Sequence, residues 1–169
     1  MKKILAFVVG LLACTPLFAQ EIETGYRGFV DVGYGLSVSK IQVGSYEADI
    51  SNNINLRTSH GYQVVADYFF VGAGVGVEYW HEGSAWSVPV FADLRSDFVR
   101  FGRCTIFADA QIGYRFVDAE GLTFNPEVGL RVGLSEKVGL NIGVGYNLYT
   151  LKNISGTGGL VTFKVGVDF

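Results

Sequence analysis

The sequence is poor in charge, in proline and in cysteine. Charged residues make up 17% of the chain, below the roughly 25% of an ordinary soluble protein. A 49% hydrophobic content nevertheless excludes a disordered polymer. Three prolines exclude collagen and proline-rich linkers. Two cysteines, Cys14 and Cys104, leave no intrachain disulfide once a leader carrying Cys14 is removed. No apolar run reaches the ~18 residues of a membrane-spanning helix. A basic footprint for nucleic acid is absent as well: the net charge is −3, and losing Lys2 and Lys3 makes it more negative.

Glycine and aromatic residues are plentiful. The chain has 23 glycines, and 14% of its residues are aromatic. Hydrophobic, glycine-rich and aromatic without a spanning helix, it points to strands.

The first nineteen residues read as a secretory leader. Lys2 and Lys3 supply the positive start, Ile4 to Ala13 the apolar core, and Ala19 the small residue before the cut. Residues 20–169 then form one domain. Leu11-Leu12-Ala13-Cys14 offers a second reading, a lipobox that would lipidate Cys14.

From residue 26 onward apolar residues recur every second position, the period of a strand. Eight runs follow: 26–38, 56–65, 70–80, 86–95, 105–116, 123–134, 138–149 and 160–169. Most are longer than the five or six residues of typical soluble strands and suit the ~9–11 of a tilted spanning strand. An even strand number suits a closed antiparallel barrel. The expected fold is therefore all-β, an eight-stranded antiparallel transmembrane β-barrel. The longest connection, 39–55, is polar and lies at the end opposite residue 26, with 81–85, 117–122 and 150–159. Connections 66–69, 96–102 and 135–137 lie at the other end.

Period two alone does not say which face is wet. The less apolar face carries six bases, Arg27, Arg57, Arg95, Arg115, Arg131 and Lys164. It also carries six acids, Asp31, Glu78, Asp93, Asp109, Glu127 and Asp168, set among glycines. In a narrow lumen, glycines make room for long charged side chains, and opposite charges neutralise one another there. The other face is aliphatic at its centre, as at Val30, Val75, Val90 and Ile142. It is aromatic towards its ends, as at Tyr26, Tyr34, Tyr62, Tyr79, Trp86 and Tyr146. That distribution is the girdle of a membrane barrel.

The last run, Val161 to Phe169, alternates to a terminal phenylalanine. It resembles the C-terminal signal of bacterial outer-membrane barrels, which implies that Phe169 engages the barrel-assembly machinery. His60-Gly61-Tyr62-Gln63 with Tyr68 to Gly76, and Phe107 to Tyr114, are similar to strands of small OmpA/OmpX-like outer-membrane barrels. The resemblance spans residues 24–169 and implies a bacterial outer-membrane location. Its motifs are architectural and carry no enzyme signature.

Chemistry-bearing motifs are sparse. His60 lies on the lipid-facing side, while its neighbour Ser59 points the other way, which breaks a nucleophile–base pair. His81-Glu82-Gly83-Ser84 sits in a short turn with no room for an oxyanion site. Two separated histidines and a lone thiol make no metal spacing. Gly72-x-Gly74-x-Gly76 lacks the strand–turn–helix setting of a nucleotide loop. The expectation is a non-enzymatic monomer without a cofactor, surrounded by outer-membrane lipids and binding no nucleic acid. Its lumen is filled by the twelve charges, its role is structural or adhesive, and 39–55 is offered to an extracellular partner. A narrow pore is the alternative, and a lipid A-modifying enzyme the distant one.

Overall fold

The computed structural model describes residues 24–38, 40–43, 46–49, 51–66, 68–81, 84–135, 137–151 and 154–169. The leader and Cys14 lie outside the described residues. The strands, in chain order, are β1 (Gly25–Ser37), β2 (Lys40–Val43), β3 (Tyr46–Asp49), β4 (Asn53–Val65) and β5 (Phe69–Trp80). They continue as β6 (Ala85–Phe101), β7 (Cys104–Val117), β8 (Gly121–Gly133), β9 (Gly139–Leu151) and β10 (Ile154–Asp168). Eight of them close a barrel in the order β1-β10-β9-β8-β7-β6-β5-β4, all antiparallel. β2 and β3 form a separate hairpin between β1 and β4.

Residue parity assigns the faces. In β4, Asn53, Asn55, Arg57, Ser59 and Gln63 are buried, while Ile54, Leu56, His60, Tyr62 and Val64 are exposed. The barrel is thus turned inside out relative to a soluble core, with most buried side chains polar or charged and the large aliphatics outside. No water reaches an apolar exterior in a bilayer, so closing the sheet satisfies every ladder hydrogen bond within the protein.

Proline and glycine sit where this geometry uses them. The β5–β6 pairing skips Pro89, and the β8–β9 pairing skips Pro126; neither has an N–H to give. The two-residue turn between β6 and β7 places Gly102 at φ 62, a conformation that favours glycine. In the lumen, glycines accept the large side chains of neighbouring strands. Phe91 covers Gly74, Phe107 covers Gly129, Glu127 covers Gly143 and Asn55 covers Gly33. A Cβ at Gly74 would meet both the Phe91 ring and the Thr58 backbone carbonyl. Gly74→Val is therefore expected to leave little folded barrel. Loss of the compact band on an unheated gel would show it, and a normal compact band would contradict this packing.

Three segments differ from the sequence expectation. β6 runs to Phe101, so most of 96–102 is strand, with a bulge between Asp97 and Val99 that breaks the alternation. Within 39–55 there is a hairpin, and β4 already begins at Asn53. β9 and β10 continue through much of 150–159. There the strands pass beyond the apolar band, so the alternating signal fades while backbone pairing persists.

Candidate functional site: the lumen and its two ends

All twelve charges expected in the lumen are there. Eleven are buried and Asp31 is half-buried. A thirteenth, Asp97, was missed in the sequence and is 2% exposed. Arg95-Ser96-Asp97 continued the alternation, but Phe98 and Val99 ended the readable run.

At the Gly25 end the charges form one connected layer. Arg27 Nη1 donates to Gln63 Oε1 (3.0 Å) and Asp97 Oδ2 (3.2 Å), and its Nη2 donates to Asp168 Oδ2 (3.2 Å). Arg131 Nε reaches the same Asp168 Oδ2 at 2.9 Å. Asn141 Nδ2 donates to Asp168 Oδ1 (3.0 Å) and its Oδ1 accepts from Arg95 Nη2 (2.6 Å). The Arg95 guanidinium also lies 3.4 Å from the centre of the Phe107 ring and 4.6 Å from that of Phe29. These cation–π contacts between buried groups add to the ion pairs.

The middle level is richer in acids. Lys164 Nζ is 2.5 Å from Glu127 Oε2. Gln111 Nε2 donates to Asp109 Oδ2 (3.1 Å), and the carboxyls of Asp93 and Asp109 come together. Asp31 stands over Gly166, in the field of Lys164 and Arg95.

At the Ser37 end one acid serves two bases. Arg57 Nη2 donates to Glu78 Oε1 at 2.6 Å, and Arg115 Nη1 is 3.7 Å from Glu78 Oε2. Ser87 Oγ donates to Glu78 Oε2 (3.0 Å), and Trp80 Nε1 donates to Ser87 Oγ (3.2 Å). Arg115 lies over the Tyr149 ring at 4.1 Å. Trp80, Tyr149 and Leu160 form an apolar cap above.

His60 takes part in a different arrangement, on the exterior. Tyr26 Oη is 2.6 Å from its Nδ1, and Thr58 Oγ1 is 3.0 Å from its Nε2. Thr58 Oγ1 also donates to the Phe29 carbonyl at 3.0 Å. A carbonyl only accepts, so the Thr58 hydroxyl proton is committed there. Nε2–H then donates to Thr58 and Tyr26 O–H to Nδ1. Both ring nitrogens are satisfied on an apolar surface, and Thr58 is not poised as a nucleophile. Ser59 faces the lumen, as expected. Phe169 closes the seam beside this group. It exchanges two backbone hydrogen bonds with Gly28 (2.8 and 3.0 Å), and its ring covers that glycine.

No family model and no curated protein sequence matches this chain. Solved structures do. Neisserial surface protein A aligns with a TM-score of 0.67 at 12% identity, over 86% of this chain and 97% of that one. The N-terminal β-barrel domain of Pseudomonas aeruginosa OprF gives 0.51 at 12% identity, over 89% and 100%. The outer-membrane enzyme PagL gives 0.54 at 14% identity, over 83% and 98%. The likeness is one of fold: the chain has the architecture of small eight-stranded outer-membrane β-barrels.

Proposed function

We propose that the protein is an outer-membrane scaffold or adhesin whose lumen is closed by its own side chains. The observation that carries this reading is the connected layer of Arg27, Arg95, Asp97, Arg131, Asn141 and Asp168. Two of its hydrogen bonds span the lumen, Arg27 of β1 to Asp97 of β6 and Arg95 of β6 to Asn141 of β9, and the others tie Asp168 to Arg27, Arg131 and Asn141 on adjacent or next-but-one strands. An eight-stranded barrel leaves an interior that side chains can fill, and paired charges lower the cost of burying them there. The lipid-facing band would hold the barrel as a monomer in the bilayer. Its C-terminal strand would engage the assembly machinery through Phe169. The β2–β3 hairpin and the rest of 39–55 would meet an extracellular partner. No catalytic step is assigned, because Thr58 is bonded to a carbonyl and His60 is satisfied on both nitrogens.

A narrow pore is the second reading. It is favoured by half-buried Asp31 and by buried amides without a protein partner, Asn53 and Asn55 among them, which are sites for ordered water. Single-channel recording in a planar bilayer separates the two. Folded protein is expected to be silent. Steady, reproducible openings would overturn the closed lumen and make the mid-lumen carboxylates a selectivity site. Incubation with phospholipid and lipid A vesicles is expected to release no fatty acid; release abolished by His60→Ala would restore the enzymatic reading.

A further inference from the structure

We infer that the exterior rim at the Ser37 end carries a saccharide-binding platform, built from Tyr34, Tyr79, His81, Trp86 and Asp118. Its occupant is the sugar headgroup of an outer-leaflet glycolipid. The inference rests on the outer-membrane reading above, which turns this rim towards the outer leaflet.

The register places Tyr34, Ile54, Tyr79 and Trp86 in one row across β1, β4, β5 and β6, with Ile54 between the two tyrosines. His81, in the turn after β5, bridges that row. Its ring centre is 6.1 Å from Tyr34 and 5.6 Å from Tyr79. Tyr79 and Trp86 lie 4.8 Å apart. The four rings thus make one connected cluster of edge-on and tilted contacts, their planes 49–70° apart, level with exposed Ile54 and just beyond exposed Leu56 and Val77. The cluster continues the lipid-facing band into the headgroup level, where amphipathic rings belong. Tyr114 and Phe116, a T-shaped pair on β7, lie on the strand that leads into Asp118.

The polar atoms select the partner. His81 is held by two bonds to the Asn52 carbonyl, from its backbone N–H (3.1 Å) and its Nδ1 (3.2 Å). A carbonyl only accepts, so Nδ1 donates and Nε2 is the free ring nitrogen. At the far end, Asp118 Oδ2 accepts from the Trp86 backbone N–H at 3.0 Å, and one lone-pair side of the carboxylate is left open. Among the described residues, none bonds Tyr34 Oη, Tyr79 Oη or Trp86 Nε1. The platform therefore offers two hydroxyls, an indole donor, an imidazole acceptor and a carboxylate acceptor, with no cation in the row. Phosphate has no use for two acceptors, and a carboxylate repels it. A sugar has hydroxyls that donate and accept, and a C–H face that lies flat on aromatic rings. The chemistry of the set is that of a polyhydroxylated ring.

The test uses Trp86 as reporter. The chain has two tryptophans, and Trp80 is buried within the lumen cap, so Trp80→Phe leaves Trp86 alone. The variant is folded into vesicles of phosphatidylcholine, of phosphatidylcholine with an anionic phospholipid, and of phosphatidylcholine with rough lipopolysaccharide. Acrylamide quenching of Trp86 is expected to fall roughly by half with lipopolysaccharide only, because a stacked sugar shields one ring face. His81→Ala and Asp118→Asn should each remove that protection. In parallel, the thermal midpoint of the unsubstituted protein's compact band should rise with lipopolysaccharide, and that of His81→Ala should not; this readout needs no Trp80 substitution. Equal protection by the anionic phospholipid would overturn the saccharide assignment, and so would no protection in any vesicle by folded protein. Failure to insert into every vesicle would instead overturn the membrane reading on which the platform depends.

Discussion

Placing arginine at Val144 is expected to destabilise the folded barrel by about 2–4 kcal/mol, the cost of a cation at the midplane of the lipid face. Val144 is 42% exposed, pairs with Val128 on one side and Phe163 on the other, and lies between the two aromatic girdles. No acid shares its face nearby, so the guanidinium would have to reach a headgroup or draw water inward. The loss is read from urea titration of the protein folded in vesicles, by the shift in midpoint at unchanged slope. Ile142, two residues earlier and 47% exposed, should respond in the same direction. A neutral result at Val144 would mean that this face does not meet hydrocarbon. The contrasting substitution, Gly145→Ala one position on, probes the lumen instead, where Thr162 and Glu127 lie in the way.

Glu78→Ala is expected to cost about 3–5 kcal/mol, the range for breaking a buried ion pair by removing one partner. Glu78 is 0% exposed and is the acid shared by Arg57 and Arg115, which are 2% and 0% exposed. Its removal strands two guanidiniums at the Ser37 end of the lumen. Arg115 keeps its contacts with the Tyr149 and Trp80 rings, which are weaker than an ion pair at this depth. Ser87 also loses its acceptor, and with it the tether of the Trp80 indole. A double-mutant cycle with Arg57→Ala should show strong coupling, because the second truncation removes one of the stranded charges. Additive losses would mean that Arg57 and Glu78 are solvated separately, and the closed-lumen reading would lose its support at this end. Conductance of Glu78→Ala gives a second readout: openings in the variant alone would make this pair part of the seal.

These two substitutions draw on different parts of the argument. That Val144 is outside and Glu78 inside was legible from residue parity, since strands expose alternate side chains to opposite faces. That Glu78 binds Arg57 and Arg115 was not legible. Arg57 lies on the neighbouring strand, but Arg115 comes from β7, two strands away. Similarly, Arg27 and Asp168 are 141 positions apart and meet because β1 and β10 close the barrel. Asp97 escaped notice for a local reason, the bulge that puts Phe98 and Val99 out of phase. The platform around His81 escaped for another. Asn52, which holds the imidazole, lay in a stretch read as connection, and nothing in residues 81–84 announces the tyrosine of β1 beside them.

Alternation and run length already dictated a long-stranded antiparallel barrel with charges on one face and an aromatic-bordered apolar band on the other. Both properties depend on neighbouring residues in one strand, so the linear order contains them. Tertiary structure alone decided which charge meets which, where the lumen is tightly packed, and which rim residues converge. Those outcomes depend on the stagger at which the sheet closes on itself. A stagger two residues different would keep every side chain on its face and change every partner across the lumen.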